Sequence, residues 1–250
     1  MKTKKKIKIE KLPTRKISDF SSTLEEKLDY IKNRIHRAAI RAGRNPKNIT
    51  LIAITKAFPV DIWQQALNVN LTIIGESRIK EAEEKAAKFS KKNKIELHCI
   101  GHLQTNKTRK AINLFDVIQT VDSINLAEKM NLICKENQKK QSFYLQINTG
   151  ADPKKYGISA NKALLVAKEV TKMEHIVLEG IMTIPPQALS VMELRSVYRK
   201  TREIRDKICL KINNNCKNIS MGMSNDYEIA IGEGATHIRI GSGLFGPRPQ

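Results

Sequence analysis

A lysine, an arginine and two turns rich in glycine and serine are the groups in this chain best suited to act on a small anionic ligand. Lys56 follows the apolar run LIAIT and stands among Ile54, Ala57 and Phe58. Partial burial there would lower the amine pKa toward the neutral nucleophile that condenses with a carbonyl. The same position also suits a solvated strand cap. Arg239 alternates with Ile238 and Ile240 in HIRIG. If the isoleucines pack outward, the guanidinium points into the core, where an unpaired cation is costly. Arg239 therefore needs an anionic or hydrogen-bond-accepting partner, and an internal ion pair with Glu76 or Glu179 would meet that need. The segments SMGMSND (220–226) and GSGLFG (241–246) suit a phosphate. Ser224 is placed to N-cap a following helix, and Gly241 and Gly243 let the backbone approach oxygens closely. Residues 241–246 also match G-x-G-x-x-G, but a dinucleotide site needs a full helix and an acidic residue about 20 positions later. The sequence ends four residues after Gly246, so that reading is set aside.

The elements that must position these groups alternate regularly. Apolar runs at 51–55, 71–75, 95–101, 116–120, 143–148, 176–184, 218–222 and 237–241 read as strands. Amphipathic stretches at 76–90, 105–114, 123–138, 159–172, 189–213 and 224–232 read as helices between them. A further helix is expected over 21–43. Leu24, Leu28, Ile31 and Ile35 recur at helical spacing, Ser22 or Thr23 with Glu25 or Glu26 forms a capping box, and Gly43 and Pro46 close it. Connections too long for hairpins imply parallel strands, and eight repeats in 250 residues imply closure into one (β/α)8 TIM barrel. A doubly wound open sheet is the alternative. In a barrel the site forms at the C-terminal strand ends. That rule gathers Lys56, the Gly75-Glu76-Ser77 turn, His98, Gln146, Asn148, Met182, Thr183, residues 221–224 and residues 239–242.

Composition narrows the classes. An apolar fraction of 40% is enough for a sizeable core, and no run approaches the roughly 18 apolar residues of a membrane span. The net charge of +20 raises the question of nucleic acid. Residues 1–20 carry eight basic residues against two acids, and the other +14 is spread without a stripe. With aromatics at 5%, no basic run is interleaved with stacking residues, so the expectation is weak polyanion attraction and no specific nucleic-acid role. Residues 1–20 are read as a flexible basic tail without the apolar core of a signal peptide, and 21–250 as the barrel. Cys99, Cys134, Cys209 and Cys216 form no CxxC pair and no zinc pattern, which fits a reducing cytoplasm.

Several ordered segments carry a family resemblance: ITKAFP around Lys56, IIGESRIKEA (73–82), HCIGHLQTNK (98–107), INTGADPKKYG (147–157), GIMTIP (180–185) and the long run from Ser220 to Arg248. In these the chain resembles the YggS/PROSC-type pyridoxal 5'-phosphate (PLP) binding proteins, whose fold is similar to the N-terminal barrel of alanine racemases. The resemblance implies PLP as cofactor, held as a Schiff base on Lys56. It also implies Ser224, Gly241 and Ser242 at the phosphate, Arg239 facing the pyridine nitrogen, and further contacts from Ser77 and Met221. It implies a role in vitamin B6 homeostasis without an established reaction, in a monomer whose partners are PLP and PLP-dependent apo-enzymes.

Two departures from the family pattern stand out. Ser77 replaces a usual Asn after Gly75-Glu76, and Phe58 stands where a second lysine is common. The rival function is a PLP-dependent amino-acid racemase. Racemases of the related fold draw an opposing tyrosine from a C-terminal β-domain, for which the sequence leaves no room, so the expectation is a carrier. A guanidinium at the pyridine nitrogen also disfavours its protonation and weakens the ring as an electron sink.

Overall fold

The computed structural model describes residues 23–247. The expected basic tail, residues 1–20, lies outside the described residues, as does Ser22. The first helix, α1 (Leu24–Arg41), opens on the capping box formed by Thr23 and Glu26. It buries Leu28, Ile31, Ile35, Ala38 and Ala39, the stripe that the periodicity marks.

The barrel strands are β1 (Thr50–Ile54), β2 (Ile73–Glu76), β3 (Glu96–Cys99), β4 (Val117–Val121), β5 (Gln141–Asn148), β7 (Ile176–Met182), β8 (Asn218–Met223) and β9 (His237–Ile240). All neighbours pair in parallel, and the β4–β5 and β1–β9 pairings close the sheet. The open-sheet alternative is thereby excluded. A two-residue strand, β6 (Ile158–Ser159), adds to the end of β5.

The helices between strands are α2 (Asp61–Asn68), α3 (Ile79–Lys88), α4 (Thr108–Leu114), α5 (Ile124–Glu136), α6 (Ala163–Val170), α7 (Val191–Lys211) and α8 (Tyr227–Gly232), and α9 (Ser242–Phe245) follows β9. The sequence reading missed α2, α9 and β6, of which α9 and β6 are too short to show a period. It also began three helices too early, one of them α8, which starts at Tyr227 and not at residue 224. Glu76 still belongs to β2, and Ser159 pairs with Asn148.

Strand alternation divides the buried residues into two layers. Ala53, Ile74, Leu97, Ile118, Phe143, Leu145, Ile219, Ile238 and Ile240 face the helices in one continuous hydrophobic layer. Val117, Tyr144 and Met182 form a small separate cluster inside the barrel. The inward layer is tight at its β1–β2 side, where Gly75 pairs with Ile54. A Cβ on Gly75 would stand 2.5 Å from Ile54 Cδ1, so a larger residue there would push the Ile54 side chain aside.

Candidate cofactor site

Much of the barrel interior is polar, and its centre is one directed hydrogen-bond chain. Arg239 donates through one Nη to Ser220 Oγ at 2.8 Å and through the other to the Thr183 carbonyl at 3.0 Å. Ser220 in turn donates to Gln119 Oε1 at 2.7 Å. The Gln119 amide reaches His98 Nδ1 at 2.7 Å, and His98 Nε2 reaches Glu96 at 2.7 Å. A guanidinium only donates, so every later orientation follows from Arg239. Ser220 accepts and must donate onward, Gln119 presents its oxygen to Ser220, and His98 carries its proton on Nε2 toward Glu96.

Of the two kinds of partner expected for Arg239, the structure supplies hydrogen-bond acceptors and not the ion pair. Glu76 faces away from the barrel interior, where it binds Lys85, and Glu179 accepts from Ser142 Oγ at 2.6 Å. Arg239 is 4% exposed, burial draws its pKa down from the ordinary value, and both its hydrogen bonds go to neutral acceptors. Its remaining N–H groups suit a ligand acceptor at the mouth. His237 lies on the same inward face. Its ring accepts or donates to Tyr144 Oη at 3.3 Å and to Thr236 Oγ1 at 2.9 Å. Burial, reinforced by His98, pulls its pKa down to about 4, so the ring is neutral near pH 7.

The candidate phosphate cradle forms where the β8–α8 loop meets α9. Ser224 Oγ lies 3.4 Å from Ser242 Oγ and accepts from the Gly243 N–H at 3.4 Å. Both bonds are long, and a charged acceptor would engage the same donors more strongly. Gly241 permits the fit, because a Cβ there would stand 3.3 Å from the Ile54 carbonyl oxygen. Ser224 is not an N-cap as expected. The helix α8 starts at Tyr227 after Asp226, whose Oδ1 accepts from Met223 N at 2.6 Å. Ser224 therefore has only its hydroxyl to offer a ligand. Met221 lies fully buried in the layer between sheet and helices, so its side chain packs away from the mouth and only its backbone can serve a ligand.

Lys56 sits half-buried two residues beyond Ile54, on the strand that pairs with β9. It occupies a turn closed by Phe58 N donating to the Thr55 carbonyl at 3.2 Å, with Ala57 left-handed at φ 66°. That conformation costs a residue with a Cβ roughly 1–2 kcal/mol, so the surroundings must hold it. Phe58, at the position of the missing second lysine, packs its ring 5.8 Å from Phe245 of α9 and joins the lysine turn to the phosphate cradle.

The rest of the rim comes from other strand ends. Ser77 lies at the end of β2 against Gly101, in a cleft shared with His102 and Lys107. The His102 ring stacks on Tyr156 at 3.6 Å, and its Nδ1 lies 3.2 Å from Asp122. Gln146 and Asn148 are structural in part: their amides donate to the carbonyls of Tyr156 and Asp152 and so tie down the loop that carries Tyr156. The sequence reading missed Gln119, Ser220 and Lys85. A glutamine in the apolar run DVIQT was the available signal for Gln119, and Glu81 four residues before Lys85 was the signal for an ion pair.

A lysine turn packed on the candidate phosphate cradle, together with a buried arginine hydrogen-bonded to neutral acceptors, is a donor set that fits PLP. The comparisons agree with it. The model of the alanine racemase N-terminal domain matches residues 27–249. The pyridoxal phosphate homeostasis protein of Aquifex aeolicus is 33% identical over 89% of this chain and 97% of its own length. That of Haemophilus influenzae is 31% identical over 90% of this chain and 96% of its own.

Among solved structures, PipY of Synechococcus elongatus with PLP bound has a TM-score of 0.79 at 28% identity, covering 90% of this chain and 100% of PipY. Alanine racemase of Clostridium difficile shares the fold, with a TM-score of 0.66 at 20% identity, over 90% of this chain and 58% of the enzyme. The chain thus belongs to the alanine racemase N-terminal domain family and, within it, to the pyridoxal phosphate homeostasis proteins.

Proposed function

We propose that this protein binds PLP at the barrel mouth and serves vitamin B6 homeostasis as a carrier, with Lys56 as the residue that forms the Schiff base. The observation that carries the reading is the junction of the lysine turn and the cradle, with Phe58 against Phe245 and the Ser224, Ser242 and Gly243 groups converging beside them. PLP supplies an aldehyde and a ring able to delocalise charge. Lys56 would supply the amine that condenses with that aldehyde, with loss of one water. The two serine hydroxyls and the Gly243 N–H hold the phosphate, and Ser77 and the backbone at Met221 complete the contacts.

Arg239 supports a carrier more than an enzyme. Its guanidinium is anchored to Ser220 and Thr183, and it would set a positive charge beside the ring nitrogen of a bound cofactor. A cation there disfavours ring protonation, which lowers the gain from carbanion delocalisation. The reading extends to PLP-dependent apo-enzymes as recipients, and to a cytoplasmic monomer with no specific nucleic-acid partner. The test is borohydride reduction of the PLP-loaded protein followed by peptide mapping. PLP fixed to Lys56 is the expected result, and label on another lysine defeats the assignment.

A further inference from the structure

Outside the barrel wall, behind the lysine turn, three ionisable side chains are packed together. Lys85 of α3 is 4% exposed and its ammonium makes three bonds: to the Thr55 carbonyl at 2.8 Å, to Glu76 Oε1 at 2.7 Å and to Glu81 Oε1 at 2.7 Å. Glu76, fully buried, also accepts from Thr55 Oγ1 at 2.6 Å. Thr55 Oγ1 accepts from Trp63 Nε1 at 3.1 Å. Glu81 Oε1 takes a second donor, the Ala57 N–H, at 2.6 Å.

The pattern has a consequence for one residue. The peptide groups on either side of Lys56, the Thr55 carbonyl and the Ala57 N–H, are both gripped by this one cluster. We infer that Lys85, Glu76 and Glu81 form a positioning cluster that locks the turn 55–58 and so presents the Lys56 amine to an aldehyde held at the barrel mouth. The inference rests on the reading of Lys56 as the PLP lysine and adds the residues that aim it.

Stability alone does not account for the cluster. Removing charges from water costs about what their mutual attraction returns, so apolar side chains of equal volume would serve the core as well. What apolar side chains cannot do is hold a carbonyl and an N–H in a fixed relation. They also cannot keep Ala57 in a conformation that its Cβ disfavours.

The test separates aiming from binding. Two variants, Glu81→Ala and the double change Glu76→Gln with Lys85→Met, are compared with the unaltered protein. Affinity for pyridoxine 5'-phosphate, which lacks the aldehyde, reads the phosphate cradle and ring contacts. The rate of borohydride-trapped labelling of Lys56 by PLP reads the aim of the amine. Both variants are expected to label Lys56 about tenfold more slowly, a factor worth 1.4 kcal/mol, while affinity for the alcohol changes by less than about twofold. Glu81→Gln, which keeps an acceptor for the Ala57 N–H, is expected to restore most of the rate.

Folded variants that label Lys56 at the unaltered rate would overturn the inference. So would an equal loss of affinity for the alcohol, which would mean that the whole mouth is distorted. If the double variant does not fold, Glu81→Ala and its Glu81→Gln rescue decide the matter. Failure of the unaltered protein to label Lys56 would defeat the functional reading itself, and that result is distinct from either of the others.

Discussion

Arg239 and Ser220 stand on adjacent strands with Nη and Oγ 2.8 Å apart, and through Ser220 the buried guanidinium is joined to Gln119, His98 and Glu96. Ser220→Ala removes one of the two neutral acceptors to which this cation is hydrogen-bonded. Charged donors in such bonds are worth about 1.5–3 kcal/mol. Chemical denaturation of the ligand-free variant is expected to show a loss in that range, and a loss under about 0.5 kcal/mol, the size of an ordinary surface change, would contradict the chain of donors.

Lys56→Ala is expected to abolish the absorption of the PLP Schiff base and the borohydride-stable label together. PLP itself should still be retained, because the phosphate donors at Ser224, Ser242 and Gly243 are untouched. Equilibrium dialysis against the spectrum distinguishes the two effects, and complete loss of retention would show that the cradle contributes little.

Ser224→Ala deletes the hydroxyl at the centre of the cradle. One charge-assisted hydrogen bond lost is expected to weaken PLP by about tenfold, equivalent to 1.4 kcal/mol. Pyridoxal, which lacks the phosphate, should bind the variant and the unaltered protein alike. Equal affinity for PLP in both proteins would place the phosphate elsewhere.

His237 makes a prediction about pH. Burial first, with His98 next, holds its folded pKa at about 4, below the ordinary 6.5. Between these values the unfolded chain binds a proton that the folded chain refuses, so stability falls as pH drops from 6.5 toward 4 and changes little from this group outside that window. The full effect is on the order of 3 kcal/mol at 1.36 kcal/mol per unit. Denaturation of His237→Asn across this range should lose that part of the slope. An identical slope in both proteins would mean that His237 titrates normally.

Reactivity distinguishes a carrier from an enzyme. Given L-alanine, L-serine or L-glutamate, the PLP-loaded protein is expected to racemise or transaminate no faster than free PLP. Enantiomer exchange and α-proton exchange in heavy water are the measurements. Turnover near 1 per second, within the ordinary enzyme range of about 1–1,000 per second, would favour the racemase reading. Slow proton exchange alone would not, because any bound imine acidifies that proton.

The choice between a closed barrel and an open sheet fell to the β1–β9 and β4–β5 pairings, whereas the sequence by itself determined the repeat of strand and helix and the polar residues at the strand ends. These depend on short-range patterns: period two in HIRIG, helical spacing in α1, glycine and serine in the loops after β8 and β9. The family resemblance then named the ligand. What only the tertiary structure decided is the set of partners. Arg239 could have paired with Glu76 or Glu179, and it meets Ser220 and Thr183 instead because strand alternation turns Glu76 outward onto Lys85. Ser220 and Gln119 lie 101 positions apart and touch only because the sheet closes. Ser224 lost its capping role to a helix that begins three residues later, yet gained a neighbour in Gly243, 19 positions along the chain. The grip of Lys85 and Glu81 on the turn around Lys56 was equally hidden, since it joins peptide groups whose types no side chain announces. Local periodicity sets which face of an element is buried, but contacts across the barrel depend on register and closure, which no short window of sequence contains.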